Sequence, residues 1–470
     1  MLKLADVIEA LTDTRPLFET VINEATVDSR QVISGSLFIA IPGEHVDGHD
    51  FVADAFQRGA SLALIQHDIP GTFLTVRLVK GQPVNLDFDV GHPFCLEVKN
   101  TQTALQQIAR FWRRKLDLRV IGVTGSVGKS TTKEVIAEVL DQRYRTVKSP
   151  GNMNNEIGLP LTILKIGPGT ERAVLEMGLY VPGEIAFLCE IALPDIGVVT
   201  NIGTVHAERA GSQEDIYRGK SELVQALPAN GVAILNKDDP WVRKMEELSK
   251  ARVFFYGLDP SSNLWADELE GLGLEGIRFR LHYQQEIMHV HVPMIGQHSV
   301  HTALRAAAVG LVDGLTWQEI LDGLRQGRSQ LRLTTVQTES GALLLDDSYN
   351  ATPESMLAAL NLLAELEGRK VAVLGDMLEL GQYEKQGHEM VGVRAAEVAD
   401  LLITVGILSH MIASAAQRAG LESQKISEFE NQDEAIKHLR KHLTKGDVVL
   451  VKGSHGIRMD RIVAALEVPE

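Results

Sequence analysis

The stretch RVIGVTGSVGKSTTKEVIAEVL, residues 119–140, admits few folds. It reads as an apolar strand, a glycine turn ending in Lys129-Ser130, and a helix whose Val135, Ile136, Val139 and Leu140 form one apolar stripe. Gly125 and Gly128 let the backbone curl with its N–H groups inward, and the helix that follows adds its positive end. That is a phosphate cradle, with Lys129 suited to the β- and γ-phosphates and the Ser130 hydroxyl to Mg²⁺. The general pattern G-x-x-x-x-G-K-[ST] wants glycine at 123, where this chain has Val123. The shorter T-G-x-x-G-K-S run counts against a generic ATPase or small-molecule kinase.

A chain of 470 residues suggests about three domains at ~150 residues each. The texture changes twice, giving blocks 1–117, 118–332 and 333–470. The first mixes short strands (SLFIAIPG, SLALIQ) with glycine turns and ends in the helix TQTALQQIARFWRRK, with residues 71–98 read as an elaborated loop. The second alternates strands and helices, the sign of a mostly parallel sheet, with an antiparallel edge expected at GIRFRLHY and IMHVHVPMIG. The third runs apolar strands into glycine turns (KVAVLGDM, LLITVG, DVVLVKGSHG) and reads as a second open α/β sheet. Ligands of such sheets bind beyond the C-terminal ends of the strands, so the loops of blocks two and three are expected to face one cleft.

The balance of 46 basic and 62 acidic residues, a net charge of −16, argues against nucleic acid or an anionic membrane as partner. Cys95 and Cys189 stand far apart, which favours neither a disulfide framework nor a zinc site. MLKLADVIEALTDTRP reads as an amphipathic helix rather than a signal peptide, and no run approaches 18 apolar residues. A soluble cytoplasmic protein is expected.

Further acidic and basic groups fall at the same sheet edge. Glu176 closes the strand in RAVLEMG, and Asn201 and His206 follow the strand in DIGVVTNIGTVHAE. A carboxylate and an imidazole beside a triphosphate suit Mg²⁺, although Glu176 reads equally as a loop carboxylate and His206 as a helix cap. In EDIYRGKSELVQAL, Ile216, Lys220, Leu223 and Leu227 share one helix face. A lysine in that inward stripe has three readings: an ion pair with Glu176, a side chain snorkelling to solvent, or a carbamate formed with CO₂ that ligates metal.

With these residues assembled, the chain resembles the Mur ligase superfamily of ATP-dependent peptide-bond-forming enzymes over nearly its whole length. The likeness rests on DSRQVISGSLFIAIPGEHVDGHDF in the first block. In the second it rests on TGSVGKSTTKE, GNMNNEIGLPLTIL, EMG and TNIGTVHAE, and in the third on LLLDDSYNATPESMLAAL, LGDMLELG and VKGSHGIRMDRIV. Within the superfamily it is most similar to the branch that adds D-alanyl-D-alanine to UDP-N-acetylmuramoyl-tripeptide in peptidoglycan synthesis.

The resemblance implies a carbon–nitrogen ligase working through an acyl phosphate, with ATP, two Mg²⁺ ions and a carbamylated lysine, acting as a monomer. It implies that Thr124, Gly125, Ser126, Val127, Gly128, Lys129, Ser130 and Thr131 hold the nucleotide, with Arg332 on its phosphates, Asp346 or Asp347 by the ribose and Thr302 by adenine. Ser130, Glu176, His206 and Lys220 as carbamate would hold metal. Lys129, Glu176, His206 and Lys220 would carry the chemistry. Asp28, Ser29 and Arg30 match the uridine end, Asn154 and Asn155 the sugar-peptide, and Tyr349, Asn350, Lys452 and Ser454 the side of the incoming dipeptide.

Two features depart from the family pattern. G-x-H-N-x-x-N-A-L has Ser299 and Thr302 at its asparagines, and His455 stands where arginine usually follows K-G-S. The rivals are a ligase with another acceptor (folylpolyglutamate synthase, or the ligase half of cyanophycin synthetase) and a non-catalytic relative. The uridine-type turn opposes the first two, and the Lys129, Ser130, Glu176, His206, Lys220 set opposes the last.

Overall fold

Three groups of apolar strands build three sheets. The computed structural model describes residues 1–467 apart from 18, 44–45, 70, 72, 83, 85–91, 204–211 and 327–333. Strands β1 (Ala25–Thr26), β2 (Ser36–Ile39), β3 (Ala60–Ile65), β4 (Thr75–Arg77) and β5 (Phe94–Glu97) pair in parallel in the order β1-β2-β3-β5-β4. Helices α1 (Leu4–Thr12), α2 (Val52–Gln57) and α3 (Thr101–Lys115) cover this sheet. The segment expected as one elaborated loop, 71–98, instead supplies β4 and β5. Phe94, Cys95 and Leu96 are buried beside β3, so this part of the chain belongs to the sheet.

The central sheet has nine strands: β6 (Arg119–Thr124), β7 (Thr146–Lys148), β8 (Arg172–Glu176), β9 (Ile196–Val199), β10 (Val232–Asn236), β11 (Arg252–Gly257), β12 (Leu264–Gly271), β13 (Ile277–Tyr283) and β14 (Glu286–Val292). Their order is β14-β13-β12-β11-β10-β9-β6-β8-β7. It is parallel as far as β12, and the expected antiparallel edge is the β12-β13-β14 meander. Helices α4 (Lys129–Leu140), α5 (Gly158–Leu164), α6 (Glu184–Ala192), α7 (Gln213–Ala226), α8 (Pro240–Lys244), α9 (Val300–Val312) and α10 (Trp317–Gln326) belong to this unit. α4 and α9 pack on one face, and α5, α6 and α7 on the other, in a core continuous with that of the first unit. The chain leaves β6 for the β7 edge, returns through β8, then crosses to β9. That reversal opens a crevice at the C-terminal end of β6.

The third sheet holds β15 (Thr334–Gln337), β16 (Leu343–Asp347), β17 (Arg369–Gly375), β18 (Leu401–Val405), β19 (Ile426–Phe429) and β20 (Asp447–Lys452), in the order β15-β16-β20-β17-β18-β19. Only β15 runs antiparallel. Helices α11 (Pro353–Glu365), α12 (Glu384–Val398), α13 (His410–Arg418), α14 (Gln432–His442) and α15 (Asp460–Leu466) bury both faces. The molecule is thus three α/β units in series, as the sequence texture implied. Among the described residues no helix is long and apolar enough to cross a membrane.

Candidate functional site

The loop after β6 is held from three sides. The Thr124 hydroxyl donates to the Met177 carbonyl at 2.9 Å, tying the end of β6 to the end of β8. Gly125 has φ +143°, and a Cβ there would come within 1.8 Å of the Thr200 Oγ1, so no other residue fits. The Thr200 hydroxyl donates to the Val127 carbonyl at 2.7 Å. The Val127 N–H donates to the Asn201 Oδ1 and the Ser126 N–H to the Asn201 carbonyl, each at 2.9 Å.

These bonds revise the inward-facing loop. The amides of Ser126 and Val127 are spent on Asn201, which is a support for the loop. The first turn of α4 is left to meet an anion: its N-cap, Gly128, is left-handed, no side chain caps the helix, and its leading N–H groups have no intrahelical acceptor. The Lys129 ammonium donates to the Gly125 carbonyl at 2.9 Å and to the Ser126 carbonyl at 3.2 Å. It therefore sits over the loop mouth.

Lys220 lies directly beneath. A Cβ on Gly122 would meet Leu223 of α7 at 2.8 Å and one on Gly197 would meet it at 3.1 Å, so α7 settles close against β6 and β9. That approach buries Ile216, Lys220 and Leu223 together and brings the Lys220 amine to 3.0 Å from the Gly125 carbonyl. Burial, then the nearby Lys129 charge, pushes the Lys220 amine well below the usual lysine range, toward its neutral form. Two of the three readings of this lysine fail. It does not snorkel, being 1% exposed. Nor does it pair with Glu176, because among the described residues no carboxylate reaches it.

The partner of Glu176 is Lys133, one turn beyond Lys129 on α4. Lys133 is fully buried, with its ammonium 3.6 Å from the Glu176 Oε2 and donating to the Gly151 carbonyl at 2.8 Å. The Asn154 amide donates to the Glu176 Oε1 at 2.8 Å. The Glu176 Oε2, buried, has no hydrogen-bond donor among the described residues, so one carboxylate oxygen beside the phosphate loop is left to accept. The free Glu176 oxygen and the Ser130 hydroxyl are oxygen donors of the kind Mg²⁺ takes, and the Lys220 amine, shifted toward neutrality, would add oxygens only as a carbamate. Lys133 was missed in the sequence, yet its signal was legible. Lys133, Ile136, Ala137 and Leu140 make an inward stripe at helical spacing, the same anomaly that exposed Lys220.

Asn155 does other work, its Oδ1 accepting the Gly158 N–H at 2.8 Å at the head of α5. Asn154 and Asn155 also line a groove of about 290 Å³ with Glu156, Tyr180 and Phe187. His206 and Arg332 lie outside the described residues.

Across the crevice, the third sheet brings its own group together. Parallel pairing sets Asp347 beside Lys452, and the ammonium reaches the carboxylate at 2.7 Å and the Asn350 carbonyl at 2.9 Å. The Ser454 hydroxyl accepts the Leu378 N–H at 2.9 Å, and the Asp346 Oδ1 accepts the Ser348 N–H at 2.9 Å. Tyr349 is exposed, edge-on to the His455 ring at 6.1 Å. From the central unit, His298 reaches solvent in this crevice. The enclosing protein, then the charges of His301, Arg305 and Lys452, hold its imidazole down at about 4. The two units also meet directly, the Gln213 N–H at the head of α7 donating to the Tyr383 hydroxyl of the third unit at 3.4 Å.

The first-unit residues stand apart, linked to the loop by no hydrogen bond or ion pair among the described residues. Asp28 caps the turn Ser29–Gln31 and takes a two-pronged bond from Arg30 at 2.9 and 2.8 Å. Nearby, Asp47 joins His49 at 2.6 Å and His67 at 3.0 Å. The His49 Nε2 already accepts the Gln66 N–H, so the trio is a hydrogen-bonded brace rather than a metal centre.

Comparison with known proteins adds the family. Residues 21–113 match the model described as the Mur ligase family catalytic domain, 123–310 the Mur ligase middle domain and 331–455 the Mur ligase glutamate ligase domain. The chain is 35% identical over 467 residues to the UDP-N-acetylmuramoyl-tripeptide–D-alanyl-D-alanine ligase of Bacillus subtilis, covering 98% of this chain and 97% of that one. A MurF crystal structure from Acinetobacter baumannii superposes with TM-score 0.83 at 31% identity, covering 98% of both chains. The MurF ligase of Thermotoga maritima in complex with ADP gives TM-score 0.78 at 28% identity, covering 96% of this chain and 98% of that one.

Proposed function

The chain belongs to the Mur ligase family, and on that premise we propose that it joins D-alanyl-D-alanine to UDP-N-acetylmuramoyl-tripeptide at the expense of ATP, the last cytoplasmic step toward the peptidoglycan precursor. The observation that carries the reading is end-to-end likeness to ligases of that name, in a chain whose phosphate loop faces a second sheet edge across one cleft.

A carboxylate and an amine do not condense in water, because the carboxylate is a poor electrophile. The γ-phosphoryl of ATP passes to the terminal carboxylate of the tripeptide, giving an acyl phosphate and ADP. The amine of D-alanyl-D-alanine attacks the acyl carbon, the amide forms, and inorganic phosphate leaves with the carboxylate oxygen. No enzyme nucleophile is needed.

The Lys129 ammonium offsets negative charge at the transferring phosphoryl, and the first turn of α4 from Gly128 to Thr131 supplies N–H donors. Thr124, Gly125, Ser126 and Val127 shape that turn. Arg332 completes the phosphate contacts, and Thr302 and Asp346 border the nucleoside. Glu176, His206, Ser130 and carbamylated Lys220 fit a pair of Mg²⁺ ions, which when bound neutralise phosphate charge and polarise the carboxylate. The neutral Lys220 amine favoured by burial is the form that combines with CO₂.

Asp28, Ser29 and Arg30 take the uridine end, and Asn154 and Asn155 with their groove take the peptide. Asp347 orients Lys452, which with Tyr349, Asn350 and Ser454 receives the dipeptide. Domain limits at 1–117, 118–332 and 333–470, and a monomeric cytoplasmic enzyme, complete the reading.

The test is phosphate release with ATP, Mg²⁺, UDP-N-acetylmuramoyl-tripeptide and D-alanyl-D-alanine, each omitted in turn. Release that requires both peptides, with the joined product seen by mass, supports the reading. Release without the dipeptide, or none in any mixture, overturns it.

A further inference from the structure

Among the described residues Arg305 is a charge without a counter-charge. It lies on α9, which packs against α4, and it is 5% exposed. Among the described residues no carboxylate pairs with it. Its Nη2 donates to the Thr302 hydroxyl at 2.8 Å, and its guanidinium lies 5.9 Å from the centre of the Tyr256 ring. Its Nε–H, also buried, has no acceptor. The nearest functional element is the phosphate loop: a Cβ built on Gly128 would lie 3.7 Å from the Arg305 Nη2 and 4.0 Å from Nη1. The guanidinium therefore stands against the N-cap of α4, on the side of the loop away from Lys220.

Burying a full charge is costly, and the usual remedy is a carboxylate. A hydroxyl and a ring face are weak substitutes. Arginine cannot escape by losing its proton, as Lys220 can. An anion held against Gly128 would meet both the guanidinium donors and the free N–H groups of the helix terminus, two positive features converging on one place. A neutral base would leave the charge uncompensated. The Thr302 oxygen, expected to serve the adenine end, also accepts the Arg305 Nη2–H and so helps aim the guanidinium.

We propose that Arg305 is a phosphate ligand of the nucleotide in this chain, oriented by Thr302 and Tyr256 and reaching the phosphate chain beside Gly128. The proposal rests on the reading that the loop holds ATP. It makes nucleotide affinity depend on a cation contributed by α9, in addition to Lys129, and predicts that the phosphates outweigh the base in recognition.

The experiment is calorimetric titration of ADP, inorganic pyrophosphate and adenosine into the full-length protein, Arg305→Gln, Arg305→Lys and Arg305→Met, with Lys129→Ala as reference. Arg305→Gln is expected to weaken ADP and pyrophosphate by the same factor, roughly tenfold or more for a lost charge-assisted bond, and to leave adenosine unchanged. Arg305→Lys is expected to recover part of the loss. Arg305→Met, which removes the uncompensated charge, is expected to melt no lower than wild type without nucleotide and to lose most of the stabilisation by ADP.

ADP affinity within twofold of wild type in Arg305→Gln would overturn the proposal. So would a loss shared by adenosine and ADP but absent with pyrophosphate, which would assign Arg305 to the base. Wild-type protein indifferent to ADP, or equal to Lys129→Ala, would instead overturn the reading of the loop itself.

Discussion

At the scale of single residues, two buried lysines, Lys133 of α4 and Lys220 of α7, have different surroundings. Lys133 stands 3.3 Å from the Glu134 carboxylate and 3.6 Å from that of Glu176 and donates to the Gly151 carbonyl, while Lys220 among the described residues meets the Gly125 carbonyl and no carboxylate and is driven toward neutrality. Removing one member of a buried pair strands the other, so Lys133→Met is expected to cost roughly 3 kcal/mol. The urea midpoint measures this, and a loss under about 0.5 kcal/mol, typical of surface changes, would refute the pairing. His298 gives a pH prediction. Its native pKa of about 4 lies below the ordinary 6.5, so between these values the unfolded chain binds a proton that the native protein refuses. Stability is complete above about 6.5 and lost as pH falls toward 4. Unfolding midpoints at pH 7 and pH 5 should therefore differ, and less so in His298→Gln. The phosphate loop and the Lys220 stripe were legible because both are local patterns. The Lys133–Glu176 pairing was not, because the stripe marks Lys133 as inward-facing but its meeting with Glu176 depends on the α4–β8 packing. Asn201, placed at the right edge by its strand, proved to support the loop because its amide meets the Val127 N–H, a contact no spacing reveals.

Among the elements, α3 joins two units. Its Arg113, buried near the C-terminus, donates to the carbonyls of Ala192 at 2.7 Å, Leu116 at 3.2 Å, and Leu118 and Leu193 at 3.3 Å. One guanidinium thus gathers the end of α3, the approach to β6 and the end of α6. Arg113→Met leaves these carbonyls without their donor and is expected to destabilise by about 2–4 kcal/mol. An unchanged melting temperature would contradict that role. Most elements were readable. The period-2 pattern of β13 and β14 gave the antiparallel edge, and glycine-bounded apolar runs gave the parallel strands. The failure was β5. PFCLEV is short, follows a polar stretch and shows no alternation, so it read as loop, and only pairing with β3 makes it a strand. Short fully buried strands lack a periodic signature.

For the whole molecule, the order of strands places the chemistry. The chain's return through β8 before β9 puts Glu176 and Asn201 on either side of the β6 loop, and the third sheet gathers Asp347, Lys452 and Ser454 at the C-terminal ends of β16 and β20. Three α/β units were legible from the changes in texture, but the facing of the second and third was an inference from strand-end rules, and the contact between them is the Gln213–Tyr383 hydrogen bond, which no local pattern marks. The central claim is that the phosphate activates a carboxylate. It is tested most directly by supplying UDP-N-acetylmuramoyl-tripeptide with ¹⁸O in its terminal carboxylate, together with ATP, Mg²⁺ and D-alanyl-D-alanine, and weighing the inorganic phosphate. The acyl-phosphate route predicts one ¹⁸O in each phosphate released. Phosphate carrying only solvent or ATP oxygen, formed while the amide is made, would contradict it.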